Sequence, residues 1–117
     1  METNDAVAAL GALAQENRLE VFRLLVQAGP EGLPAGQIAE RLKLASPTLS
    51  FHLAQLKHAG LVQARRDGRS LIYAGDYDGM NDLMGFLTEN CCAGSGAAYA
   101  PVSRTVVRRT SRGATRP

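Results

Sequence analysis

Apolar positions along this chain recur first at a helical period and later at a strand period. In residues 6–14, Val7, Leu10 and Leu13 fall on one side of a short first helix rich in alanine. A second helix is predicted over 18–27, with Leu19, Phe22, Leu25 and Val26 inward and Gly29-Pro30 as its stop. Residues 31–34 read as a loop. Ile38, Ala39 and Leu42 then mark a third helix over 35–42. Lys43-Leu44-Ala45 leaves room only for a tight turn before the next helix, so the pair reads as a helix-turn-helix.

That next helix organises the rest. Leu49, Leu53 and Leu56 recur at i, i+4, i+7 and predict one packed side. Ser46 suits the N-cap, Pro47 sits where a missing N–H is harmless, and Gly60 ends the helix. The opposite side carries Thr48, Ser50, Phe51, Ala54, Gln55 and His58, with no acid among them. A solvated face would carry Glu and Lys; short donors and acceptors suit the edges of a DNA major groove.

After Gly60 the period changes. Residues 61–66 and 69–74 read as two short strands around Asp67-Gly68, a dipeptide favoured in two-residue hairpins. Arg65, Arg66 and Arg69 cluster at its tip, as in a wing that reaches a DNA backbone. A last helix is predicted over 78–90, with Met80, Leu83, Met84 and Leu87 as its stripe and Phe86 beside it. In so small a chain, apolar stripes on the first and last helices predict a dimer seam and two readers related by a two-fold axis. The expected fold class is mainly α with a small β-hairpin: a winged helix-turn-helix over 1–92, followed by a flexible basic tail over 93–117.

Charge sharpens this division. The net charge of +2 conceals eleven acids against eight Lys/Arg up to Glu89, a balance of −3, followed by five arginines and no acid. Nucleic-acid binding is therefore argued from local placement. No apolar run is long enough for a membrane span and no basic leader precedes one, so the cytoplasm is the expected compartment and no membrane partner is expected. No Ser/His/acid set, phosphate-cradling glycine loop or acid–base pair stands out, and an enzyme is not expected.

The two cysteines, Cys91 and Cys92, are neighbours. Adjacent Cα atoms lie ~3.8 Å apart across a trans peptide, below the ~4.4–6.8 Å usual for a disulfide, so free thiols are expected. On a continuing helix their side chains would point ~100° apart. Both sulfurs can meet one atom only where the helix ends, and Ala93-Gly94-Ser95-Gly96 gives that freedom.

Residues 18–25, 46–62, Arg65-Arg66-Asp67-Gly68-Arg69 and Tyr73, in succession, resemble the ArsR family of bacterial winged-helix repressors over roughly residues 5–92. The resemblance implies a homodimer that occludes a promoter on double-stranded operator DNA and leaves it when a toxic metal or metalloid binds. One known effector site uses Cys in the first helix of the helix-turn-helix; Ile38-Ala39-Glu40-Arg41-Leu42 has none. Another uses His on the last helix, but the two histidines here, His52 and His58, both lie in the reader helix. Glu89-Asn90-Cys91-Cys92 resembles the arsenic-sensing members with a Cys pair after the last helix, which makes Cys91 and Cys92 the metal ligands. Where related sensors often supply a third Cys, this chain has Ala97-Ala98-Tyr99.

Soft trivalent arsenic prefers thiolates. Two of them suit an organoarsenical, or arsenite with a hydroxide or external thiol; antimonite belongs to the same effector class. The expected DNA contacts are Ser46, Thr48, Ser50, Phe51, His52, Gln55 and Lys57 on the reader and Arg65, Arg66 and Arg69 on the wing. Gln55 is the base reader, because Gln pairs bidentately with adenine. His52 stands at the flank of the leucine stripe, open to either a packed or a contacting role. Two readings stay beside this one: a thiol-redox or cadmium/lead switch, and a winged-helix module that binds protein.

Overall fold

The computed structural model describes residues 1–94, with side chains through Cys92; of the tail expected over 93–117, residues 95–117 lie outside the described residues. In chain order the elements are α1 (Thr3–Leu13), α2 (Glu16–Ala28), β1 (Leu33–Pro34), α3 (Ala35–Leu42) and α4 (Ser46–His58). They are followed by β2 (Val62–Asp67), β3 (Ser70–Gly75), α5 (Tyr77–Leu87) and a 3₁₀ turn over Cys91–Gly94. Met1–Met80 forms one compact unit, and a second begins at Asn81, within α5.

The first unit is built around Val21 and Leu25 of α2, Ile38 of α3, Leu49, Leu53 and Leu56 of α4, and Leu61, all fully buried. The leucine stripe of α4 thus lies inward as its spacing predicts, and α3 with α4 forms the helix-turn-helix. Lys43 turns the chain between them in a left-handed conformation, φ 57°. A Schellman arrangement ends α4: the Gly60 N–H donates to the Lys57 carbonyl, and the Leu61 N–H donates to the Leu56 carbonyl. Gly60 can close that turn because its φ of 81° costs a residue without Cβ nothing.

α1 differs from its predicted orientation. Ala6, Ala9 and Ala12 are its buried residues, while Val7 and Leu10 are 62% and 43% exposed. Small side chains let α1 approach α2 and α4 closely, so the face of methyl groups takes the inside position. In α2, Leu19 likewise faces out and Val21 takes an inward place. In α5 the stripe is only partly covered: Leu83 is buried and Leu87 is exposed.

The sheet has three strands in the order β1-β3-β2, all antiparallel. β1, read as loop in the sequence, pairs Leu33 with Tyr73 and Pro34 with Ile72. Two residues ending in proline carry too little alternation to announce a strand. The hairpin register pairs Asp67 with Ser70, so the loop residues are Gly68-Arg69, one position later than expected. Only the first of them has positive φ, the pattern of a type II′ turn.

Candidate functional site

The outer side of α4 presents Thr48, Ser50, Phe51, Ala54, Gln55, Lys57 and His58, all exposed. Phe51 is 56% exposed, a large apolar ring standing in water at the middle of a polar face. Such placement gives a groove-entering helix a surface for a thymine methyl. The helix begins one residue earlier than its sequence suggests. Ala45 is the extended residue before it, Ser46 lies in the first turn, and Pro47 follows. No side chain caps this end, so the Ser46 hydroxyl remains on the surface as a donor.

His52 is turned the other way. It is 6% exposed and sits among the buried residues of α4, so it is absent from the face that carries the other expected contacts. Its Nδ1 is buried without a hydrogen-bond partner among the described residues. Burial, and secondarily the charge of Arg18, holds its pKa below the ordinary imidazole value. Arg18 is itself fixed, its Nε donating to the Ala12 carbonyl at 2.7 Å.

On the wing, Arg65, Arg66 and Arg69 are all exposed. The Arg65 Nη2 donates to the Glu31 carbonyl at 3.0 Å, which ties the hairpin to the loop before β1 and orients this strand. Arg66 and Arg69 extend from the tip. A shallow hollow of about 130 Å³, lined by Gln63, Ala64, Arg65, Ile72 and Ala74, lies on the same sheet. Ligand pockets run ~300–1,000 Å³, so this hollow is too small to be one.

Between reader and last helix stands a junction that the sequence reading missed. The Asp76 N–H donates to the Leu61 carbonyl at 2.9 Å, and the Asp76 carboxylate accepts from the Gly79 N–H at 3.1 Å, capping α5. Tyr77 donates its hydroxyl to the Val26 carbonyl at 3.2 Å. A Cβ at Gly79 would fall on the Gly60 carbonyl oxygen, so the first turn of α5 rests directly on the end of the reader helix. The Asp three residues before Gly79 is the signal that could have revealed the cap.

The thiols lie at the far end of α5. That helix stops at Leu87, three residues before its predicted end, and Asn90 and Cys92 adopt left-handed backbones with φ 56° and 60°. Two such turns bring neighbouring side chains to one side: the sulfurs of Cys91 and Cys92 are 3.1 Å apart. Both thiols are free, Cys91 half-buried and Cys92 exposed. Their mutual hydrogen bond, with a smaller contribution from burial, raises the Cys91 pKa. Among the described residues no group of three or more His, Cys, Asp or Glu gathers, so this pair is the soft donor set.

The helix-turn-helix domain family matches residues 13–63. The transcriptional activator HlyU of Vibrio cholerae is 37% identical over 75 residues, which span 62% of this chain and 67% of HlyU. In structure, the homodimeric winged helix-turn-helix DNA-binding domain of Mb0332 from Mycobacterium bovis superposes with a TM-score of 0.60 at 28% identity. That match covers 74% of this chain and 81% of Mb0332. The chain belongs to the ArsR-like family of winged-helix transcriptional regulators. A chain from Halobacterium salinarum that carries the name "Putative arsenical resistance operon repressor ArsR" is 40% identical over 63 residues, 54% of this chain and 48% of that one. No helix of the described residues is long and apolar enough to cross a membrane.

Proposed function

We propose that this ArsR-like chain is a homodimeric repressor that grips double-stranded operator DNA and is released when trivalent arsenic, as arsenite or an organoarsenical, binds Cys91 and Cys92. The observation that carries the reading is the two free sulfurs 3.1 Å apart. A zinc–thiolate bond is ~2.3 Å, and sulfurs closer than twice a bond of that order can hold one atom between them. The likeness to an arsenical resistance repressor supports the same effector. Exposed Val7, Leu10 and Leu87, together with a homodimeric structural relative, support the dimer. The cytoplasm is where such a regulator meets its operator.

On DNA, the exposed face of α4 enters a major groove. Gln55 reads a base edge, while Thr48, Ser50 and Phe51 contact bases or adjacent phosphates. Ser46, Lys57, Arg65, Arg66 and Arg69 supply positioning contacts to phosphate. An arsenical would exchange two As–OH groups for two As–S bonds, the two thiol protons leaving with those hydroxyls as two waters. Cys91 and Cys92 then stay locked side by side, and the turn through Asn90 is fixed with them. The helix they follow starts at the Asp76–Gly79 junction on the reader helix, which gives the thiol end a structural route to α4. A coupling of ~1–3 kcal/mol along that route lowers operator affinity ~5- to 150-fold.

Fluorescence anisotropy on the chain's own upstream DNA tests the proposal. Arsenite or phenylarsenite is expected to release the native protein, while Cys91→Ser and Cys92→Ser bind DNA and no longer respond. Release that survives both substitutions, or tight arsenical binding with unchanged DNA affinity, overturns it.

A further inference from the structure

The same two sulfurs are placed for a second chemistry. They are the only cysteines of the chain, and they face each other at 3.1 Å on an exposed turn. A disulfide needs ~2.03–2.05 Å, about 1 Å less, a gap that side-chain rotation can narrow. The adjacent Cα atoms, held ~3.8 Å apart by a trans peptide, keep any such bond strained, and strained exposed disulfides are the readily reduced ones. A labile bond, in place of a structural one, is what this geometry favours.

We infer that Cys91 and Cys92 form a reversible redox gate, in which hydrogen peroxide closes a vicinal disulfide that removes both arsenic ligands. The exposed Cys92 sulfur, as thiolate, attacks one peroxide oxygen. The O–O bond breaks, leaving Cys92 as sulfenic acid, and the departing oxygen takes up a proton to leave as water. The Cys91 sulfur then attacks the Cys92 sulfur, and the expelled hydroxide takes the Cys91 proton as a second water. Two thiols lose two electrons, and one peroxide becomes two waters. A dithiol such as dithiothreitol reverses the closure by exchange. Blocking of arsenic rests on the function proposed above; disulfide closure itself does not.

The test uses the full chain, reduced and then treated with hydrogen peroxide, read by intact mass, thiol alkylation and a non-reducing gel. The expected product is a monomeric polypeptide lighter by two hydrogen atoms, with no alkylatable thiol, restored by dithiothreitol. Its uptake of phenylarsenite, read as a mass adduct, is expected to be lost on oxidation and regained on reduction. A product with two alkylatable thiols, a gain of oxygen atoms, or a disulfide between two copies overturns the gate. If the reduced protein takes up no phenylarsenite yet closes the disulfide, the arsenic reading fails and the closure stands. If it takes up phenylarsenite and never closes, the gate alone fails.

Discussion

The junction at Gly79 lends itself to a sharp test, because one methyl group placed there has nowhere to go. In Gly79→Ala the new Cβ meets the Gly60 carbonyl oxygen, with the Gly60 carbonyl carbon 3.1 Å and the Asp76 Cγ 3.6 Å away. The obstacle is backbone, and it is pinned: Gly60 and Leu61 both donate into the last turn of α4, and Leu61 is buried. α5 must therefore tilt at its start, stretching the Asp76 cap and the Tyr77–Val26 hydrogen bond. Overpacking costs ~1–3 kcal/mol, and weakening a cap adds up to ~1 kcal/mol. The helix-propensity gain from Gly to Ala returns at most ~1 kcal/mol. The net expectation is a loss of about 1–3 kcal/mol, or roughly 4–8 °C of Tm per kcal/mol for a domain of this size.

Gly85→Ala, in the same helix, is the internal control. No described atom lies within 4 Å of its Cβ, so only the propensity gain of ~0.5–1 kcal/mol remains. Thermal and urea unfolding by circular dichroism, at one fixed protomer concentration, compares the two. A Gly79→Ala protein as stable as the parent refutes the proposed contact and the route from α5 to the reader that depends on it.

His52→Leu removes a buried nitrogen that has no partner, and a gain of ~1 kcal/mol is expected at about pH 8. The depressed folded-state pKa means that the unfolded chain takes up a proton first as pH falls below ~6.5, so the parent loses stability on that side and His52→Leu loses less. Equal urea midpoint shifts between about pH 8 and pH 5.5 in the two proteins count against this account. Each wing arginine that touches phosphate contributes ~0.9 to the salt slope of DNA binding, so Arg66→Ala and Arg69→Ala each lower that slope, measured by anisotropy in a salt series. Arg65→Ala does more, because it also releases the Glu31 carbonyl and loosens the hairpin. Gln55→Ala costs ~1–3 kcal/mol on the preferred operator and relaxes preference at one base position, read by a panel of single-base variants.

The reader helix and hairpin were legible because their signals agree: a leucine stripe, a glycine stop, then a change to the strand period. In α1, ranking side chains by size failed. There the strongest apolar stripe, Val7 and Leu10, faces out because the alanines allow a closer approach than leucine does. At α4, Ser46 looks like a cap, yet the chain enters the helix at Ala45 and leaves that hydroxyl free. His52 was ambiguous by helical angle alone, and burial decides against the exposed face. The thiols were legible as free, while their geometry depended on Asn90 and Cys92 adopting left-handed backbones, which no pattern of residue types dictates. The Asp76–Gly79 junction was hidden for another reason: its key element is the absence of a side chain.

The inverted α1 is lightly held. Its buried residues are three alanines, with Leu13 half-buried beside them, and the guanidinium of Arg18 reaches the Ala12 carbonyl. Methyls that small offer little area to hold a segment of eleven residues. At high dilution, then, the N-terminal amides trade their hydrogens with solvent well before those of the leucine-backed reader. In the proposed homodimer, with Val7 and Leu10 covered by the partner, a higher protein concentration is expected to slow that exchange.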